Sequence, residues 1–124
     1  MKQALATAQA PAAIGPYSQG IAAGQTVYVS GQLTIDPATG AIPEGIAAQT
    51  AQSLKNIQAI LAEQGMTLAD VVKTTVFLAD MNDFAEMNKV YGEYFAQPFP
   101  ARSAVQVAKL PKGAPLEIEC IAVK

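Results

Sequence analysis

The sequence predicts an α+β domain in which a mixed sheet carries two helices on one face. Three observations predict it. Two stretches repeat their apolar residues at helical spacing, short β-branched segments lie before, between and after them, and no linker, repeat or low-complexity block divides the 124 residues. A chain of this size forms one core, so residues 1–124 are read as a single domain.

The first third is extended and broken by turns. Residues 19–23 lead through Gly24-Gln25 into Thr26-Val27-Tyr28-Val29-Ser30, two strands around a tight turn. Asp36-Pro37-Ala38-Thr39-Gly40 is a turn in which Pro presets φ and Gly closes. From Gly45 the period changes: Ala47, Ala51, Leu54, Ile57 and Leu61 share one helical face, with Gly65 as the C-terminal stop. Residues 71–78 are rich in Val and Thr and read as a central strand. Asp83 precedes Phe84, Met87, Tyr91 and Phe95 at helical spacing, and Glu86 three residues on suggests a capping box. Pro98 and Pro100 end that helix, and two strands remain, Arg102–Ala108 and Leu116–Val123.

The last strand alternates. Leu116, Ile118 and Cys120 point one way, while Glu117, Glu119 and Ile121 point towards the face without helices. A chain with 51% hydrophobic and 15% charged residues is not expected to leave that face bare. A homo-oligomer that covers it is the expectation.

Composition also excludes. Eight basic against ten acidic residues give a net charge of −2, with a pI near 4.9 and a mean hydropathy of +0.22. That is neither a disordered chain nor a natural partner for nucleic acid. Histidine is absent, which removes the Ser-His-Asp triad, Cys-His pairs and His-ligated metal sites. One cysteine, Cys120, can form neither an internal disulfide nor a Cys-rich zinc site, and its core-facing position marks it as a small hydrophobe. No metal or cofactor is expected. No stretch reads as a signal peptide or membrane span, so a cytoplasmic protein is expected.

Chemistry must then come from carboxylates, lysines, tyrosines, hydroxyls, backbone groups and a single arginine. Arg102 sits between small and apolar neighbours, where a guanidinium needs an anionic partner, either its own ion pair or the carboxylate of a ligand. Glu117 and Glu119 are either a solvated pair or, if pocketed, a general base of raised pKa. Tyr17, in the rigid Gly15-Pro16-Tyr17-Ser18 turn, is either presented to a ligand or packed. Gly31 is either a bulge or a point of close backbone approach, and Asn88 lies on the polar side of the second helix. A plain hairpin between the last two strands puts Arg102 about 20 Å from Glu117 along the ladder. The two could then share a site only across a subunit boundary. If the connection crosses over instead, the strands are not neighbours.

Ile14-Gly15-Pro16-Tyr17-Ser18-Gln19, Val29-Ser30-Gly31-Gln32, Asn56, Asp80-Met81-Asn82-Asp83-Phe84 with Asn88 and Tyr91, Pro100-Ala101-Arg102-Ser103, and Leu110-Pro111 followed by Ile118-Glu119 together resemble the RidA (YjgF/YER057c/UK114) family over essentially the whole chain. The resemblance implies a chorismate-mutase-like α+β fold assembled as a homotrimer with intersubunit sites. It implies hydrolysis of 2-imino acids and their enamine tautomers, such as 2-aminoacrylate, 2-iminopropanoate and 2-iminobutanoate, to 2-keto acids and ammonium, without a cofactor. These substrates are released by pyridoxal-phosphate-dependent dehydratases. Carried onto this chain, Arg102 clamps the substrate carboxylate and Glu117 positions water, with Tyr17, Gly31, Asn88 and Ala104 lining the cleft. Ala104 stands where some members carry a cysteine, so only its backbone could contribute. A non-catalytic 2-keto acid-binding trimer is the alternative, with an endoribonuclease or translation inhibitor ranked behind it.

Overall fold

A computed structural model describes residues 1–124. In chain order its elements are β1 (Lys2–Leu5), β2 (Gly20–Ala23), β3 (Thr26–Leu33), α1 (Ile46–Ala62), β4 (Val71–Leu78), α2 (Phe84–Tyr94), β5 (Ala101–Gln106) and β6 (Leu116–Val123). They form one six-stranded sheet in the order β1-β2-β3-β6-β4-β5, with both helices packed on the same face. The mixed α+β sheet expected from the sequence is thus observed. Strand β1 was not expected: Lys2-Gln3-Ala4-Leu5 shows no apolar alternation, and it forms by pairing with β2 at the sheet edge.

The last two strands are not a hairpin. Strand β6 inserts between β3 and β4, antiparallel to both, and β5 runs parallel to β4 on its far side. The β4–α2–β5 connection therefore crosses over, and the open question of strand adjacency resolves against the hairpin. Strand β5 ends at Gln106, two residues before the sequence-based end.

Alternation in β6 sets the two faces. Leu116, Ile118, Cys120 and Ala122 are buried beneath the helices, where each large side chain contributes about 1.5–3 kcal/mol by leaving water. They meet Leu54, Ile57, Ile60 and Leu61 of α1, Met87 and Tyr91 of α2, and Val76 and Leu78 of β4 in one core. The stripe predicted for α1 holds at Leu54, Ile57 and Leu61, but Ala47 is exposed and polar residues share the buried face. Ser53 Oγ donates to the Gln32 carbonyl at 3.0 Å, and Asn56 Nδ2 to the Ile35 carbonyl at 2.9 Å. Asn56 thereby satisfies backbone where β3 runs out.

The start of α2 corrects a second expectation. Asp83 makes no side-chain capping bond. Asp80 does the capping instead, its carboxylate accepting from the Asn82 N–H at 2.9 Å to open a single 3₁₀ turn that feeds α2. No helix is long and apolar enough to cross a membrane.

Candidate active site

A cleft of about 630 Å³ opens beside the sheet face without helices, lined among others by Tyr17, Ser30, Gly31, Lys112, Glu117 and Glu119. Strand β3 creates it by bulging. Val29 pairs with Cys120 and Gln32 with Ile118, so Ser30-Gly31 carry one residue more than the facing stretch of β6. The carboxylate of Glu117 lies against Gly31, where a side chain would collide with it: a Cβ there would stand 2.6 Å from Cδ and Oε1. Burial, reinforced by the nearby charge of Glu119, holds the Glu117 pKa above the usual carboxylate range.

Tyr17 is 53% exposed, so it is presented and not packed. Gly15, at φ +114°, makes a backbone turn that disfavours other residues. Gln19, buried two positions on, ties down the preceding segment. Its Oε1 accepts from the Thr7 N–H at 2.7 Å, and its Nε2 donates to the Pro11 carbonyl at 2.7 Å and the Thr7 carbonyl at 3.1 Å. Ser30 joins this segment to the bulge, its N–H donating to the Gln19 carbonyl at 2.9 Å and its Oγ to the Ser18 carbonyl. The turn bearing Tyr17 is thus anchored beside Gly31.

Arg102 lies elsewhere, in a second depression of about 380 Å³ lined by Asn88, Tyr91, Gly92, Phe99, Pro100 and Arg102 itself. Its Nη1 donates to Asn88 Oδ1 at 2.7 Å. The guanidinium carbon stands 4.8 Å from the centre of the Tyr91 ring and 5.5 Å from that of Phe84. No acidic side chain of the same chain pairs with it, so the chain itself supplies no ion-pair partner for the guanidinium. Tyr91 is held in turn by Thr74, hydroxyl to hydroxyl at 2.7 Å in the core. Burial raises the Tyr91 phenol pKa, outweighing the opposing Thr74 hydrogen bond and Arg102 charge.

Register decides how the two depressions relate. Arg102 pairs with Thr74, and Thr74 with Cys120, so all three point to the helix face. Glu117 pairs with Phe77 and points to the opposite face. At ladder spacings the Cα atoms of Arg102 and Glu117 are about 14 Å apart, with the sheet between their side chains. One chain therefore brings Tyr17, Gly31 and Glu117 together, and separately Arg102 and Asn88. Ala104, opposite Val76, packs half-buried on the core and lines neither depression.

Phe84, Tyr91 and Lys112 belong to these surfaces without having been read as site residues, whereas Glu119, weighed with Glu117 as a possible base, lines the cleft and is itself exposed. The first two carry a sequence signal, since Phe84, Asn88 and Tyr91 recur at spacings of four and three on one helix face. Cys120 is buried, and burial followed by the charge of Glu119 pushes its thiol up to about 12, which excludes a thiolate nucleophile at neutral pH.

The profile of the family described as Endoribonuclease L-PSP matches residues 7–124. The 2-iminobutanoate/2-iminopropanoate deaminase of Salmonella typhimurium is 51% identical over 127 aligned positions, covering all of this chain and 99% of that protein. The protein of the same name from Bos taurus is 53% identical over 125 positions, covering all of this chain and 91% of its own length. Among solved structures, E. coli TdcF with bound serine superimposes with a TM-score of 0.93 at 47% identity, covering 98% of each chain.

Proposed function

The chain belongs to the Endoribonuclease L-PSP (YjgF/RidA) family, and from that premise we propose that it is a 2-iminobutanoate/2-iminopropanoate deaminase. The observation that carries this reading is identity of 51% with a deaminase of that name, over the whole of this chain. The serine held by TdcF, an amino acid with a carboxylate of the same kind, agrees with it.

The reaction adds water across a C=N bond. The water oxygen attacks C2 of the protonated imine, one of its protons passes to nitrogen, and the C–N bond of the tetrahedral intermediate breaks as the remaining hydroxyl proton passes to the departing ammonia. Its products are a 2-keto acid and ammonium. Arg102 has the geometry for a carboxylate clamp: a planar fork with one N–H committed to neutral Asn88 and no acid to neutralise it. Glu117 suits the proton transfer, because burial and the charge of Glu119 raise its pKa above the usual carboxylate range and so make it a stronger base than an ordinary carboxylate. Tyr17 and the Gly31 backbone would border the imine. Ala104 would contribute through its backbone, and no cofactor is required.

Because Arg102 and Glu117 face opposite sides of one sheet, we read the complete site as shared between subunits of a chorismate-mutase-like homotrimer. The open sheet face supports assembly, since Tyr28, Val105 and Val123 are 50%, 43% and 41% exposed there, beside half-buried Phe77 and Ile121. The functional partners are pyridoxal-phosphate-dependent dehydratases that release enamines, and the free thiol of Cys120 fits the reducing cytoplasm. The family description names an endoribonuclease, but a net charge of −2 opposes RNA as the substrate here.

Coupling a threonine dehydratase to the protein and following the imine directly tests the reading. Accelerated imine loss that disappears in Arg102→Ala supports it. No acceleration from a folded oligomer that binds 2-oxobutanoate overturns it in favour of a binding module. Mixing Arg102→Ala with Glu117→Gln chains by reversible unfolding tests the shared site. Random reassembly regenerates roughly one quarter of the sites with both residues intact, so activity returns. No recovery in oligomers shown by mass spectrometry to be mixed overturns the shared site.

A further inference from the structure

We propose that Phe84 and Tyr91 are positioning residues for Arg102, holding its guanidinium between two aromatic rings so that a carboxylate fork exists before any ligand arrives. What the fork binds rests on the deaminase reading; its geometry does not.

Three contacts define the cradle. The guanidinium carbon stands 4.8 Å from the Tyr91 ring centre and 5.5 Å from that of Phe84, both within cation–π range. Asn88 Oδ1 takes a hydrogen bond from Nη1 at 2.7 Å, which sets rotation about the fork. All three partners lie on one face of α2, at spacings of four and three.

The cradle is itself anchored. Tyr91 is buried, its hydroxyl bonded to Thr74 at 2.7 Å and its ring 4.6 Å from that of Phe95. Thr74 is also the β4 residue directly beside Arg102 in the parallel ladder. A closed circuit results: Arg102 backbone to Thr74, Thr74 hydroxyl to Tyr91, Tyr91 ring to the Arg102 guanidinium. A flexible side chain with many rotamers is thereby confined without an acidic partner. An acid would hold it equally well, but would occupy the N–H groups a substrate needs.

Arg102 is the only arginine in the chain, so its side-chain NMR signals are unambiguous and report the cradle with or without ligand. In the intact oligomer, the Arg102 side-chain protons are expected to be displaced by ring currents. They should move towards ordinary values in Phe84→Leu, which keeps apolar bulk but removes the ring, and return in Phe84→Tyr. In turnover, Phe84→Leu should raise KM for 2-iminobutanoate about fivefold with kcat within about twofold, and Phe84→Tyr should restore KM.

Arg102 signals that do not respond to Phe84→Leu overturn the proposal. So does a KM raised equally in both variants, because a merely structural role would not distinguish tyrosine from leucine. Failure of the deaminase reading would look different. The parent would show no turnover, while the ring-current shifts and their loss in Phe84→Leu would persist.

Discussion

Gly31 and Glu117 compete for one volume: a Cβ on residue 31 would stand 2.6 Å from both Cδ and Oε1 of the glutamate. Because the obstructed atoms are the far end of a flexible side chain, Gly31→Ala should cost little stability. The methyl group should instead swing the Glu117 carboxylate away from the β3 bulge. A displacement of about 1 Å in a proton-transferring group costs on the order of 100-fold in rate. Gly31→Ala is therefore expected to keep its melting temperature within a few degrees while kcat falls by about that factor. Steady-state kinetics beside calorimetry check it, and unchanged kcat would show that Glu117 does not act from this position.

Glu117 should also mark the pH dependence of stability. Burial first, then the charge of Glu119, raises its pKa above the ordinary 4.5. The native protein thus holds this proton more tightly than the unfolded chain does. Stability falls as pH rises from the ordinary carboxylate value through the raised one, and below that window the penalty is absent. Glu117→Gln is expected to be more stable than the parent at neutral pH and equal to it near pH 4, about where the unfolded carboxyl titrates. Urea titrations at a series of pH values measure this, and a gain that persists undiminished in acid would contradict it.

Glu119 should tune the rate through the same coupling. Replacing it by Gln removes the like charge that helps raise the Glu117 pKa. The acidic limb of kcat/KM is expected to move to lower pH in Glu119→Gln, with the plateau little changed. A limb that stays in place would mean that a different group limits the reaction in acid.

The parts of this architecture that repeat in sequence were legible there. Leu54, Ile57 and Leu61 announced α1, and the alternation of Leu116, Ile118 and Cys120 against Glu117 and Glu119 announced both faces of β6. What could not be read depends on pairing. Strand β1 owes its form to β2 and not to its own residues. The face on which Arg102 lies follows from its register with Thr74, a contact 28 positions away in the chain. Of the residues implied by the resemblance, Tyr17, Gly31 and Glu117 share one cleft and Arg102 and Asn88 another, a division no spacing within the sequence expresses. Phe84 and Tyr91 were visible as a helical stripe, but a stripe facing a core and a stripe cradling a cation have the same period.

Gly92 offers a last test of the Arg102 depression. It lies within α2, at an ordinary helical φ, and a Cβ there would meet nothing within 4 Å. Neither backbone conformation nor tight packing requires glycine, and glycine in a helix costs about 0.5–1 kcal/mol relative to alanine. Gly92→Ala should therefore raise the melting temperature by a few degrees. Its methyl group would project into the space in front of Arg102, so the same variant should bind 2-oxobutanoate more weakly. A melt and a binding titration on one preparation separate these effects. Increased stability with unaltered binding would show that ligand does not approach Arg102 over this turn of α2, and would move its path to the Phe99 side of the depression.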